Sequence, residues 1–246
     1  MKTNKHKSQN RVVSNPANPD LLSKADAFME ASIVHKYSYS FTWLGRPIIQ
    51  YPQDMVALQE IIWTVQPDLI IETGIAHGGS LIFSASMLEL NAACGGPQDA
   101  EVLGIDVDIR KPNREAIKAH PMFKRISMLE GSSTSPDIVD QVKQKASRKQ
   151  NILICLDSNH THDHVLSELE IYGPLTSNNS YCIVFDTVIE DLPDDLYPDR
   201  PWSRGNNPKT AVREFLQENE EFEVDTDIET KLLITVARGG YLQRVC

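Results

Sequence analysis

Two short runs hold the residues best suited to chemistry, Asp157-Ser158-Asn159-His160-Thr161-His162-Asp163-His164 and Phe185-Asp186-Thr187. Each follows an apolar segment of strand length. If those segments are neighbouring parallel strands, about 4.8 Å apart, the Asp157 and Asp186 carboxylates at their tips converge on one point. Converging carboxylates repel each other unless a proton or a cation lies between them. With oxygen ligands in prospect that cation is hard: Mg²⁺, or else Mn²⁺ or Ca²⁺. His160, three residues beyond Asp157, can reach a substrate held there and is the candidate general base. Two other readings compete. Asp157 can cap the turn that follows, with His160 packed against it. A zinc site of His160, His162 and His164 fits less well, because on a helix only positions i and i+4 converge and no cysteine lies nearby.

A second constellation is Glu72-Thr73-Gly74-Ile75-Ala76-His77-Gly78-Gly79-Ser80, again after an apolar run. Its glycine spacing is neither that of a dinucleotide fingerprint nor that of a Walker A loop. An acidic strand end before a single early glycine suits a cofactor with an amino-acid tail and no pyrophosphate, such as S-adenosylmethionine; the alternative is a tight strand-to-helix turn that needs glycine. Asp106 ends the next strand, where a carboxylate can accept from both hydroxyls of a ribose. Asp108 and Arg110 read as a surface pair. Gly131 and Ser132 follow a third strand and would line an adenine. The expected cofactor contacts are therefore Glu72, Gly74, His77, Gly78, Ser80, Asp106, Gly131, Ser132 and Asp157. The long connection 188–206, rich in acids, proline and aromatics, reads either as a disordered acidic loop or as a substrate surface. In the second case Tyr197, Trp202 and Arg204 would stack against and hydrogen-bond a sugar or another polar ring.

These residues must be positioned by elements with alternating periods. From residue 67 onward, strand-length runs (68–73, 102–106, 126–130, 151–157, 181–186) alternate with helical segments near 80–90, 113–119, 136–147 and 163–172, the pattern of a parallel sheet covered by helices. Asn207-Pro208 supplies a cap and a first-turn proline for a helix through Asn219. Phe222–Thr226 and Lys231–Ala237 are expected to pair as an antiparallel hairpin with no helix between them. Upstream, 21–31 and 53–65 read as helical and 41–50 as irregular. The expectation is an α/β fold with a seven-stranded, mostly parallel sheet, a C-terminal antiparallel hairpin and helices on both faces. Residues 1–20 would be a mobile polar tail, 21–66 a helical extension and 67–246 the cofactor-binding domain.

The 246 residues carry 24 Lys and Arg against 34 Asp and Glu, a net charge of −10, which argues against a broad basic face for nucleic acid or anionic lipid. Four scattered cysteines without a C-x-x-C, Cys94, Cys155, Cys182 and Cys246, fit reduced thiols in a cytoplasmic protein. No apolar run reaches the roughly 18–20 residues of a membrane span, and the N-terminus lacks the apolar centre of a signal peptide.

The runs GRPIIQ, PQDMVALQEIIW, IIETGIAHGGSLIF, GIDVDIR, LEGSST, LDSNHTHDHVLSELEIYGPL, VFDTVIEDLP, RPWSRGNNPKTAVREFL and KLLITVARGGYL together resemble the so-called cephalosporin hydroxylase family over about residues 41–243. That resemblance implies a class I methyltransferase (Rossmann-like) fold and an activity like that of macrolide-sugar and rhamnosyl O-methyltransferases. It implies S-adenosylmethionine and Mg²⁺ as cofactors, Asp157 and Asp186 as metal ligands, and His160 as the base. The chain departs from the family at one position, having Phe185-Asp186 where relatives have Glu-Asp. The metal would then be held more weakly, or be completed by water, Asp191 or Glu190. The implied acceptor is a small molecule or glycan, with cell-surface polysaccharide as the preferred setting and a homo-oligomer as the preferred assembly. The rivals are a non-haem iron hydroxylase, as the family name suggests, and a non-catalytic cofactor-binding subunit.

Overall fold

The computed structural model describes residues 18–196 and 198–246. Most of the expected tail, residues 1–17, and the substrate-loop candidate Tyr197 lie outside the described residues. Helix α1 (Pro19–Val34) begins with the Asn18 side chain accepting from the Asp20 amide and with proline in its first turn. The segment expected to be irregular instead forms a hairpin, β1 (Phe41–Trp43) and β2 (Arg46–Ile48). Its two-residue turn, Leu44-Gly45, has φ of 45° and 84°, the primed geometry that matches strand twist. Leucine at a positive φ gave no turn signal in the sequence.

Beyond the hairpin come α2 (Pro52–Val65), β3 (Leu69–Thr73), α3 (Gly79–Ala93), β4 (Glu101–Asp106), α4 (Lys111–Lys118) and β5 (Ile126–Glu130). The chain continues through α5 (Pro136–Ala146), β6 (Ile152–Leu156), α6 (His162–Tyr172), β7 (Tyr181–Val184) and α7 (Pro208–Glu218) to β8 (Phe222–Val224), α8 (Thr226–Leu232) and β9 (Tyr241–Arg244). The seven-stranded sheet has the order β5-β4-β3-β6-β7-β9-β8. Strands β3 to β7 run parallel, and β9 is antiparallel to both β7 and β8. Alternate side chains of β3 enter different cores. Ile70 joins Ile61 of α2 and Leu81 of α3, whereas Leu69 and Ile71 join Val142 of α5, Leu169 of α6 and Phe215 of α7. Strand order reverses beside β3, where open α/β sheets leave a crevice at the carboxyl ends of their strands.

The antiparallel C-terminal pair exists, but its second strand is not Lys231–Ala237. That run closes α8 and then turns along the sheet, burying Leu232, Val236 and Ala237. The Asp225 side chain caps α8 by accepting from the Asp227 and Ile228 amides. Asp54 of α2 then captures the apolar segment, accepting from the Thr235 hydroxyl, from the Val236 amide at 3.0 Å and from the Tyr241 hydroxyl at 2.7 Å. The β-branched composition of 231–237 reports burial against α2 and not membership of a sheet.

Candidate active site

A cleft of about 890 Å³ opens at the carboxyl ends of β3, β4, β6 and β7. On its floor, one ligand atom each from Asp157, His160 and Asp186 lies within 4.8 Å of the others. Asp157 extends β6, its amide donating to the Thr73 carbonyl at 3.0 Å, and Phe185 extends β7 by donating to Leu156 at 3.0 Å. Asp186 adopts φ of 56°, a left-handed conformation that costs a non-glycine residue about 1–2 kcal/mol and turns the chain out of the strand. His160 Nδ1 lies 3.3 Å from Asp186 Oδ2, which leaves the other ring nitrogen, Nε2, outside this contact. The Trp202 ring meets the imidazole edge-on, with centroids 4.7 Å apart.

Burial, and after it the charges of Asp186, Glu72, Glu168 and Asp54, hold the Asp157 carboxyl well above the usual carboxylate range. A divalent cation between Asp157 and Asp186 would remove this repulsion, so the donor set fits a hard ion. Gln50 of the N-terminal segment donates to Asp157 Oδ2 at 3.4 Å, while its Oε1 is buried with no partner. Asp191 and Glu190 are engaged by other partners. Asp191 binds Lys209 at 2.6 Å, and Glu190 binds the Gly205 amide, Asn207 and Arg213. Phe185 is buried in the cleft wall.

The glycine turn leaves β3 at Gly74, φ 88°, where an added Cβ would overlap the Asp157 carbonyl. Asp106 braces this turn, its Oδ2 accepting from the Ile75 amide at 2.8 Å and the Ala76 amide at 3.2 Å, and it also faces the cleft. Gly74, His77 and Ser80 line the cleft as well. Glu72 is buried beneath, accepting from the Ser80 hydroxyl. The Arg46 guanidinium donates to the His77 carbonyl and to Asn113 Oδ1, so the hairpin clamps the turn from outside.

Besides the buried Glu72, three expected contacts do not line the cleft. Gly78 faces Ile117, and Gly131 faces Ile138 of α5. The Ser132 hydroxyl meets Thr134, and its carbonyl accepts from Ser135 to start α5. On the loop, Trp202 reaches the cleft but Arg204 turns away to donate to the Leu192 carbonyl at 3.1 Å. Arg200, which sequence reasoning missed, takes that place, stacked over Trp202 at 5.1 Å. Gln50 and Arg46 were missed too, because both belong to the segment expected to be irregular.

Two buried carboxyls give this protein an unusual stability profile. Burial pushes Asp54 up to about 6 against its three hydrogen bonds, and pushes Glu72 up to about 7 against the one from Ser80. Between about pH 4 and 7 the folded chain therefore binds more protons than the unfolded chain, so these groups lose their stabilising effect as pH rises. The change is on the order of 3 kcal/mol for each group. The melting temperature of metal-free protein should fall between pH 5 and pH 8, and Glu72→Gln should flatten the fall. A melting temperature that rises across this window would contradict these protonation states.

The sequence model described as rhamnosyl O-methyltransferase/CmcI matches residues 35–245. A rhamnosyl O-methyltransferase of Mycobacterium leprae is 29% identical over 219 residues, spanning 85% of this chain and 88% of that protein. One from Mycobacterium tuberculosis is 29% identical over 218 residues, spanning 85% and 83%. Among solved structures, CmcI with Mg and SAM superposes with a TM-score of 0.57 at 17% identity, covering 85% of this chain and 78% of that one. An O-methyltransferase from Bacillus cereus bound to SAH gives a TM-score of 0.52 at 14% identity, covering 84% and 83%. These structures share the fold described above, and the match over residues 35–245 spans the hairpin, the sheet and the cleft together. The chain belongs to the rhamnosyl O-methyltransferase/CmcI family.

Proposed function

We propose that this chain is an S-adenosylmethionine- and divalent-metal-dependent O-methyltransferase acting on a hydroxyl of a sugar or glycoconjugate. The observation that carries this reading is the convergence of Asp157, His160 and Asp186 beside the glycine turn. The sulfonium cofactor supplies an activated methyl group and the cation lowers the pKa of a coordinated hydroxyl. The chain itself aligns, dehydrates and removes a proton. Gly74 allows the backbone to approach the cofactor, and Asp106 fixes the turn while facing a ribose. Asp157 and Asp186 would hold the cation. His160 Nε2 accepts the acceptor's proton, and Asp186 stabilises the imidazolium through Nδ1. Trp202 and Arg200 form the wall against which a sugar ring rests.

Functionally, the extension over 21–66 and the domain over 67–246 act together, since Arg46 and Gln50 from the first reach the turn and Asp157 in the second. The net charge of −10 supports an acceptor other than nucleic acid, and no helix among the described residues is long and apolar enough to cross a membrane. Four free thiols support a cytoplasmic setting, and the family resemblance supports a homo-oligomer.

An iron hydroxylase would need two imidazoles and one carboxylate at the ion. Here His162 meets Thr210 and Glu214, His164 meets Glu168, and among the described residues only His160 joins the two aspartates. Calorimetric titration of S-adenosylmethionine with Mg²⁺ and with chelator tests the proposal. Micromolar-range binding that Asp106→Ala abolishes is the expected result, and absence of binding in both conditions would refute it.

A further inference from the structure

Helix α6 carries His164, Glu168 and Tyr172 at four-residue spacing, a polar stripe on a face that packs into the core. Glu168 is fully buried. Its Oε1 accepts from the Ser158 hydroxyl at 2.8 Å and lies 3.5 Å from His164 Nε2. That nitrogen is also 3.1 Å from Ser158 Oγ and 3.2 Å from Ser133 Oγ, while the Tyr172 hydroxyl donates to the Ser133 carbonyl at 2.5 Å. The other carboxylate oxygen of Glu168 has no partner. Burying a carboxylate with half of its hydrogen-bonding capacity unused costs stability.

Glu168 is tied to Ser158, the residue after Asp157, by the 2.8 Å hydrogen bond that Ser158 donates to it. We propose that Glu168 is an electrostatic positioning residue for the cation site, its buried charge strengthening cation binding at Asp157 without touching the ion. The inference rests on the metal-dependent reading above. In a poorly solvated interior a negative charge acts over several ångströms with little screening, and partners outside the ligand shell commonly change metal affinity by about 10–100-fold.

The test is calorimetric titration of Mg²⁺ and of Mn²⁺ into full-length protein at pH 8, with melting curves of the metal-free proteins. Glu168→Gln should weaken both cations about tenfold, leave S-adenosylmethionine binding to the metal-free protein unchanged, and keep or raise the melting temperature. His164→Asn, which leaves the carboxylate in place, should bind both cations no more weakly than wild type. Unchanged cation affinity in Glu168→Gln would overturn the inference. Equal weakening by His164→Asn would also overturn it, since shape and not charge would then be responsible. A wild-type chain that takes up neither cation would instead defeat the metal-dependent reading itself.

Discussion

Replacing His160 by alanine is expected to slow methyl transfer by about 100- to 10,000-fold, the usual range for loss of a positioned general base. Cofactor affinity should hold, because the imidazole is engaged by Asp186 and Trp202 and not by the glycine turn. The deficit should shrink as pH rises, since ionisation of the acceptor hydroxyl would replace the missing base. A purely structural role predicts a pH-independent loss together with a lower melting temperature. Single-turnover rates between pH 6 and 10, compared with melting curves, separate the two cases. Undiminished transfer in the variant would remove His160 from the chemistry.

The second large effect is expected at Gly74. Its φ of 88° already costs a side chain about 1–2 kcal/mol, and the new Cβ would press on the backbone carbonyl of Asp157, which cannot rotate away. Gly74→Ala must therefore displace either the cofactor turn or the turn that presents Asp157. With overpacking adding about 1–3 kcal/mol, the folded state should lose about 2–5 kcal/mol, and binding of both S-adenosylmethionine and Mg²⁺ should become undetectable. Gly45, by contrast, has open space around its Cβ position, so Gly45→Ala should cost only its φ penalty and leave binding intact. Equal binding by Gly74→Ala and wild type would show that this close approach does not shape the site.

What the sequence made legible follows its strongest periodicities. The βα units from β3 to β7 and the Asn207-Pro208 helix start declared themselves, and so the strand tips bearing Glu72, Asp106, Asp157 and Asp186 lay where expected. Two elements did not. The run 231–237 has strand composition but is held by Asp54, a partner 181 residues away in sequence from Thr235, and no local pattern announces such a contact. The β1–β2 hairpin turns on Leu44, a residue type that rarely takes a positive φ. Within the site, types and spacing identified groups at strand ends but could not fix the direction of loop side chains, so Arg204 was expected where Arg200 lies. Gly131 and Ser132 are placed by strand order alone, and they serve the entry to α5. Glu168 went unnoticed for the same reason that makes it informative, since a carboxylate in an amphipathic helix reads as solvent-facing until its burial is seen.

A crystal structure of the chain grown with S-adenosylmethionine and Mn²⁺, with anomalous data collected at the manganese edge, tests the cation and cofactor sites most directly. A single anomalous peak is expected between the Asp157 and Asp186 carboxylates, with the cofactor lying along residues 74–77 and its methyl group facing the cavity beside His160 Nε2. A manganese peak elsewhere on the chain, or a cofactor bound outside this cleft, would contradict that expectation.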